Sequence, residues 1–436
     1  MNKVSNSTRN VSNSSAENNS RYLPWIVFGT GILYYCFAYL LRVYPSVMEN
    51  HLLANFHVSV KDFGFITGFY YFAYAPMQLP VGVTVDKIGA RRSLLLGCII
   101  ALCGVLIFAN TQIIGIALAG RFLIGLGAAF AYVTALKIAS LWLPKRIFAT
   151  ATGFLTGAGM LAAIATDNYL THLIQITSFH NVLLFPSYVG IILFICIFFF
   201  VKNKTGVNAD NQSIPKTTSY AVLCRQLWGI MKMPQMWLIG LVGALLYLPS
   251  SVFVDAWAIP FLKTARHFSR EQAALGASLT LAGWIISSFA AGYLSDRFQT
   301  RKIPLIIAAL GSTIVCSAII FLPIQNHIIT LSLLFMLGLF CGPHPLCFSL
   351  SKENCPHEIS GTAVAFANFV IMSGGMILQP LVGDLLAHLH GPSVQGIPTV
   401  YSNWDFSVSL SLIPIGLIIA FFATLFIKET YGKQNW

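Results

Sequence analysis

The chain has 436 residues, of which 56% are hydrophobic and 9% are charged, with a mean hydropathy of +0.73. Soluble domains carry about 25% charged residues, so a polar-surfaced soluble enzyme, a disordered chain and a coiled coil are excluded. A net charge of +12 would point to nucleic acid in a soluble protein. In a polytopic membrane protein it sets orientation instead, so the expected partners are the lipid bilayer and a small-molecule substrate, with no nucleic acid.

In chain order, residues 1–22 form an Asn- and Ser-rich tail, expected to be disordered because it has nothing with which to bury a core. Twelve apolar spans follow, at 23–47, 63–84, 93–110, 113–141, 148–171, 181–201, 235–259, 272–294, 303–323, 327–350, 361–387 and 406–427. Each has about the 20 residues that a membrane-crossing helix needs. The one long polar stretch between spans, 202–232, is Lys-rich and separates six spans from six. The expected units are therefore a bundle over 23–201, a linker over 202–232, a second bundle over 233–427 and a tail over 428–436.

With the N-terminus inside, 19 Lys and Arg fall on the inner side and 4 on the outer. Positive charge accumulates on the cytoplasmic face of membrane proteins, which places both termini in the cytoplasm, and the compact loops suggest a bacterial-type inner membrane. Three basic residues remain inside spans: Arg42, Arg121 and Lys137. The nine Cys are scattered through apolar runs with no C-x-x-C pair, so neither disulfides nor a metal site is expected. His388 and His390 read as loop residues without carboxylate partners. No phosphate-binding loop, dinucleotide fingerprint or hydrolase motif occurs, so no cofactor and no enzymatic activity are expected.

A repeat organises the chain. Gly82, Asp86, Lys87, Gly89, Arg91 and Arg92 lie between spans 2 and 3, while Gly292, Asp296, Arg297, Arg301 and Lys302 lie between spans 8 and 9. The offset is 292 − 82 = 210 residues, about half the chain, as two parallel six-helix repeats would give. An aspartate beside basic residues can hold such a short turn by ion pairing. The motif resembles the signature loop of the major facilitator superfamily, G-x-x-x-D-[RK]-x-G-[RK]-[RK]. The first copy departs from it at Ala90, and the second has Gln299 in place of the glycine. Arg121 followed by Gly125 and Gly127 is similar to the family's fourth span, and Gly153, Gly157 and Gly159 to its glycine-rich fifth. The resemblance implies an all-α fold of twelve transmembrane helices in two six-helix bundles, and a monomer is expected. Tyr39 and Arg42 also resemble the Y-x-x-R segment of sugar-phosphate and organic-anion permeases.

A charge inside a span costs about 3 kcal/mol on insertion scales, so it faces protein or water and commonly has a task. Arg42 shares a helical face with Tyr35 and Tyr39, which suits an anion-binding group; the other reading has it snorkelling to the headgroups. Lys137 is read as a second anion contact or a snorkelling residue, and Asn368 and Gln379 as neutral hydrogen-bonding groups for substrate or helix pairing. Arg121 is a hydrogen-bond hub or, as the resemblance implies, a residue of proton coupling. Asp255, on a face with Tyr247 and Ser251, is a protonatable carboxylate, an outer gate or a helix-end residue. His344 sits between Pro343 and Pro345, which must break span 10; it reads as a proton carrier or a packing residue. Gly82, Asp86, Gly89, Arg91, Gly292, Asp296 and Arg301 would latch the cytoplasmic face. The expected function is secondary transport of a small organic anion by alternating access, driven by protons or a counter-substrate. The rivals are a dipeptide or amino-acid carrier, a multidrug exporter and, remotely, a membrane sensor.

Overall fold

A computed structural model describes residues 5–143, 148–201, 220–356, 359–390 and 401–431. Among the described residues every regular element is a helix. The first half comprises α1 (Ser5–Val43), α2 (Glu49–Phe56), α3 (Val60–Ile88), α4 (Ala90–Ala109), α5 (Ile114–Trp142), α6 (Phe148–Ile176) and α7 (Phe179–Phe200). α8 (Tyr220–Met231) lies between the halves. The second half has α9 (Pro234–Leu248), α10 (Ala258–Arg266), α11 (Arg270–Phe298), α12 (Lys302–Phe321), α13 (His327–Cys341), α14 (Leu346–Glu353), α15 (Ser360–His390), α16 (Asn403–Leu410) and α17 (Leu412–Leu425). Ten of the resulting helical stretches are long and apolar enough to cross a membrane. α3 and α6, each of 29 residues and so about 43 Å long at 1.5 Å per residue, complete the twelve.

Several spans are broken, and each break has a local cause. A 3-10 turn at Ser46–Met48, after Pro45, joins α1 to α2. Pro249 begins a π-helix, Pro249–Trp257, that joins α9 to α10. The turn Gly342–Pro345 separates α13 from α14: a proline supplies no N–H, so the ladder cannot run through it. Helix starts are set by capping boxes, Ser59 with Asp62 before α3 and Ser269 with Gln272 before α11, which satisfy amides that hydrocarbon would leave bare.

Small residues bring the helices together, as expected where lipid removes the hydrophobic drive for association. A β-carbon on Gly104 or Gly127 of α4 and α5 would meet backbone of the other helix, and one on Gly125 would collide with the Tyr70 carbonyl of α3. The two bundles meet along α3 and α15, where Gly64 lies on the Gln379 backbone and Gly68 on the Pro380 ring. They meet again along α6 and α11, where Asn168 donates to Ser278 Oγ at 2.7 Å and Gln175 donates to Glu271. Phe63 packs edge-on against Trp257 nearby.

Two expectations about the connecting regions need adjustment. α1 begins at Ser5, within the stretch whose composition suggested a disordered tail; low burial capacity does not forbid a local helix. Of the expected linker, 202–219 lies outside the described residues, and 220–231 forms α8, which presents Trp228 and its cation contact with Lys232.

Candidate functional site

Arg42 lies at the meeting point of the two bundles. Its side chain is 5% exposed, so it does not snorkel. Its Cζ lies 4.6 Å from the Tyr39 ring centre, 5.1 Å from Tyr74 and 5.5 Å from both Tyr70 and Tyr71. Such faces attract a cation through the ring quadrupole. Nη1 donates to the Tyr247 hydroxyl of the other bundle at 3.1 Å, while Nε has no partner. A guanidinium carries five donors, and here the Nε donor is left over. The arrangement can therefore receive an anion.

The helical period explains how α1 and α3 build this box. Tyr35, Tyr39 and Arg42 follow one face of α1, with Tyr35 edge-on to Tyr39 at 5.1 Å and against Tyr132 at 5.2 Å. Tyr35 thus supports the wall one layer behind Arg42. Gly159 of α6 brings backbone against the rings of Tyr35 and Tyr39. Tyr70, Tyr71 and Tyr74 on α3 were not among the expected residues. Their clustering in the aromatic run 69–74 is a signal, but in a chain with 33 Phe and 16 Tyr it reads equally as lipid-facing surface.

The second bundle contributes Asp255, Tyr247, His344 and Trp284. Tyr71 donates to Asp255 Oδ2 at 2.5 Å. Asp255 lies in the π-helix, so the regular α-helical face assumed for Tyr247, Ser251 and Asp255 is replaced by a wider winding. Tyr247 and Asp255 both reach the Arg42 box, whereas the Ser251 carbonyl accepts from Gln379 at 2.5 Å. His344 stacks on Tyr247 at 4.9 Å and meets Trp284 edge-on at 5.3 Å. The broken span therefore delivers an imidazole to the wall of the box.

The remaining expected residues fall elsewhere. Arg121 is fully buried and donates to the Ile66 carbonyl at 2.9 Å and the Leu41 carbonyl at 2.8 Å, tying α5 to α1 and α3. Lys137 is half-buried and sixteen residues further along α5, about 24 Å along the helix axis. Asn368 donates to Gln78 at 3.1 Å, so it and Gln379 join helices, Gln379 binding the π-helix through the Ser251 carbonyl. His390 lies 3.5 Å from Asp405, which corrects the expectation that it lacks a carboxylate neighbour; folding of the 401–410 segment brings the acid back to the end of α15. Among the described residues no group of three metal-ligating side chains occurs.

The repeated loops differ in what holds them. In the first, the Asp86 side chain lies outside the described residues. Gly89 has φ 83° and closes α3 through its N–H to the Val85 carbonyl at 3.0 Å, a conformation that favours glycine. Arg91 donates to the Phe198 carbonyl of α7 at 2.6 Å and lies over the Phe198 ring. A β-carbon on Gly82 or Gly292 would meet open space. In the second loop Gln299 takes the left-handed position, with φ 50°. Arg301 pairs with Asp296 at 2.6 Å and with Glu353 of α14 at 2.9 Å. Glu429 accepts from the Arg301 and Lys302 amides at 2.9 and 2.8 Å, capping α12 from the chain's far end. Burial pushes its carboxyl up, but those amides and the Thr300 hydroxyl outweigh burial and hold it below the usual glutamate value.

Comparison with known proteins places this geometry. The family model of the Major Facilitator Superfamily matches residues 27–380 and again 252–434. A probable sulfoacetate transporter of Cupriavidus necator is 24% identical over 63% of this chain and 66% of its own length. A probable galactarate/D-glucarate transporter of Escherichia coli is 22% identical over 84% of this chain and 87% of its own. Among solved structures, a nucleoside transporter superposes with a TM-score of 0.73 at 11% identity, covering 93% of this chain and 99% of that one. An inward-facing bacterial homologue of the human lysosomal transporter Spinster gives 0.73 at 14%, covering 95% and 98%. Likenesses this remote in sequence speak for the fold.

Proposed function

Because the chain belongs to the Major Facilitator Superfamily, we propose that it is a secondary transporter carrying a small organic anion by alternating access, with Arg42 as the anion's anchor. The observation that carries this reading is the enclosed guanidinium, faced by four tyrosine rings, bonded to Tyr247 of the other bundle and with Nε left without a partner. An anion bridging Arg42 and the second bundle would be felt by both halves at once. The relatives printed as carriers of sulfoacetate and of galactarate or glucarate point to the same chemical class. Protons or a counter-substrate supply the drive, with the chain in the inner membrane and its termini in the cytoplasm, as the 19-to-4 distribution of basic residues favours. On the cytoplasmic face, the Asp296–Arg301–Glu353 network steadies one end of the second bundle.

Asp255 supports a second reading. It approaches the same box through Tyr71, so a solute bearing both charges, such as an amino acid or dipeptide, would find an anionic group for its ammonium and Arg42 for its carboxylate.

Thermal stabilisation of wild type and Arg42→Gln separates the two. The ligands are galactarate, sulfoacetate, sugar phosphates, amino acids, dipeptides and lipophilic cations. A ligand at 100 times its Kd adds about 2.7 kcal/mol, a readable rise in Tm. Stabilisation by one anion class, lost in Arg42→Gln, is the expected result. Equal stabilisation of both proteins by dipeptides or cations would make Arg42 structural.

A further inference from the structure

Asp167 stands apart from the Arg42 box. It lies in α6, nine residues before the outer end at Ile176, about 14 Å along the axis. It is fully buried, and neither carboxyl oxygen has a hydrogen-bond partner. The Ser46 hydroxyl lies beside it but donates to the Val43 carbonyl at 2.8 Å. A hydroxyl has one proton, and while Val43 takes it the Ser46 oxygen can only accept from a carboxylic acid.

The surrounding charges strengthen the point. The π-helix brings Asp255, a second carboxyl whose charge acts on Asp167. α11 brings Ser278, bonded to Asn168 and to the Ala274 carbonyl, and at the outer rim Glu271, bonded to Gln175. From α1, Arg42 is engaged at Tyr247, and from α5, Arg121 is engaged at the Ile66 and Leu41 carbonyls. His180 of α7 is exposed at the outer surface. Asp167 belongs to the first bundle and Asp255 to the second, so closing the outer seam brings two carboxyls together. A proton on Asp167 removes both the repulsion and the cost of burying an unpaired charge.

We propose that Asp167 is a proton-binding site that licenses outer closure: the seam of α6 and α11 closes with a proton on Asp167 and opens when that proton is lost to the outer medium. This rests on the alternating-access reading.

Two measurements on the full-length protein in liposomes test it. Infrared spectroscopy reads the carbonyl stretch of a protonated carboxyl, expected in wild type at neutral pH and missing in Asp167→Asn. Ser278→Cys, buried at the seam, reports opening through an impermeant maleimide added outside, read against the Ser278 parent to remove the native cysteines. Labelling should rise several-fold from pH 6 to pH 9 and stay low and flat in Asp167→Asn, while Asp167→Glu restores a pH response. Asn mimics the neutral acid in shape, so the variant should fold; the Glu variant guards against a folding defect. A carbonyl band identical in Asp167→Asn overturns the proton assignment. A band lost in Asp167→Asn while labelling still follows the wild-type pH curve overturns the gate alone. A reporter silent at every pH in otherwise wild-type protein overturns the gate together with alternating access.

Discussion

Arg42 of the first bundle donates to the Tyr247 hydroxyl of the second at 3.1 Å, and the Tyr247 ring in turn stacks on His344. One phenol therefore links the cation to the break in the tenth span. Tyr247→Phe keeps the stacking and removes the acceptor. Losing one such bond costs about 1 kcal/mol, so ligand affinity should change about five-fold with Tm within a few degrees of wild type. Titrated thermal shift with the stabilising anion checks this.

The two acids on Arg301 should differ in worth. Asp296 is 73% exposed and Glu353 13%. Exposed pairs contribute about 0–1 kcal/mol, whereas breaking a largely buried pair costs about 3 kcal/mol. Glu353→Gln should therefore lower Tm several times more than Asp296→Asn. Equal losses would mean that the exposed pair is worth as much as the buried one and contradict this ranking.

Gly89 and Gln299 occupy equivalent positions of the repeat, and both have positive φ, 83° and 50°. A side chain there costs about 1 kcal/mol or more. Gly89→Ala should destabilise by about that amount, and Gln299→Gly should stabilise by somewhat less. Denaturation of the two variants beside wild type reads both signs.

Glu429 caps α12 across 127 residues of chain. Its carboxyl is held below the usual value in the folded protein, so its stabilising effect is present above the unfolded glutamate pKa and fades as pH falls through the folded one. Glu429→Gln should cost about 1 kcal/mol at pH 7, the usual worth of a cap, and almost nothing near pH 3. A difference between variant and wild type that persists at pH 3 would contradict the cap's charged character.

The architecture was legible because bilayer thickness sets the length of each apolar span along the chain. Arg42 was legible for the same reason: an arginine in a span is conspicuous. Tyr70, Tyr71 and Tyr74 were not, since an aromatic side chain serves lipid and cavity equally, and only the packing of α3 against α1 and α15 decides. Gln379 illustrates the reverse. Its amide suited a ligand or helix pairing alike, and it is the Ser251 carbonyl of the π-helix that it bonds. Glu429 is remote in sequence from the helix it caps, and no local pattern could announce the contact.

The central claim is that Arg42 anchors an organic anion. Its most direct test is uptake of the stabilising anion into proteoliposomes by wild type, Arg42→Lys and Arg42→Gln, with the reconstituted amount of each matched. Lysine keeps the charge and loses the planar fork of donors, so uptake should fall at least ten-fold in Arg42→Lys and to background in Arg42→Gln. Near wild-type uptake by Arg42→Gln would contradict the account.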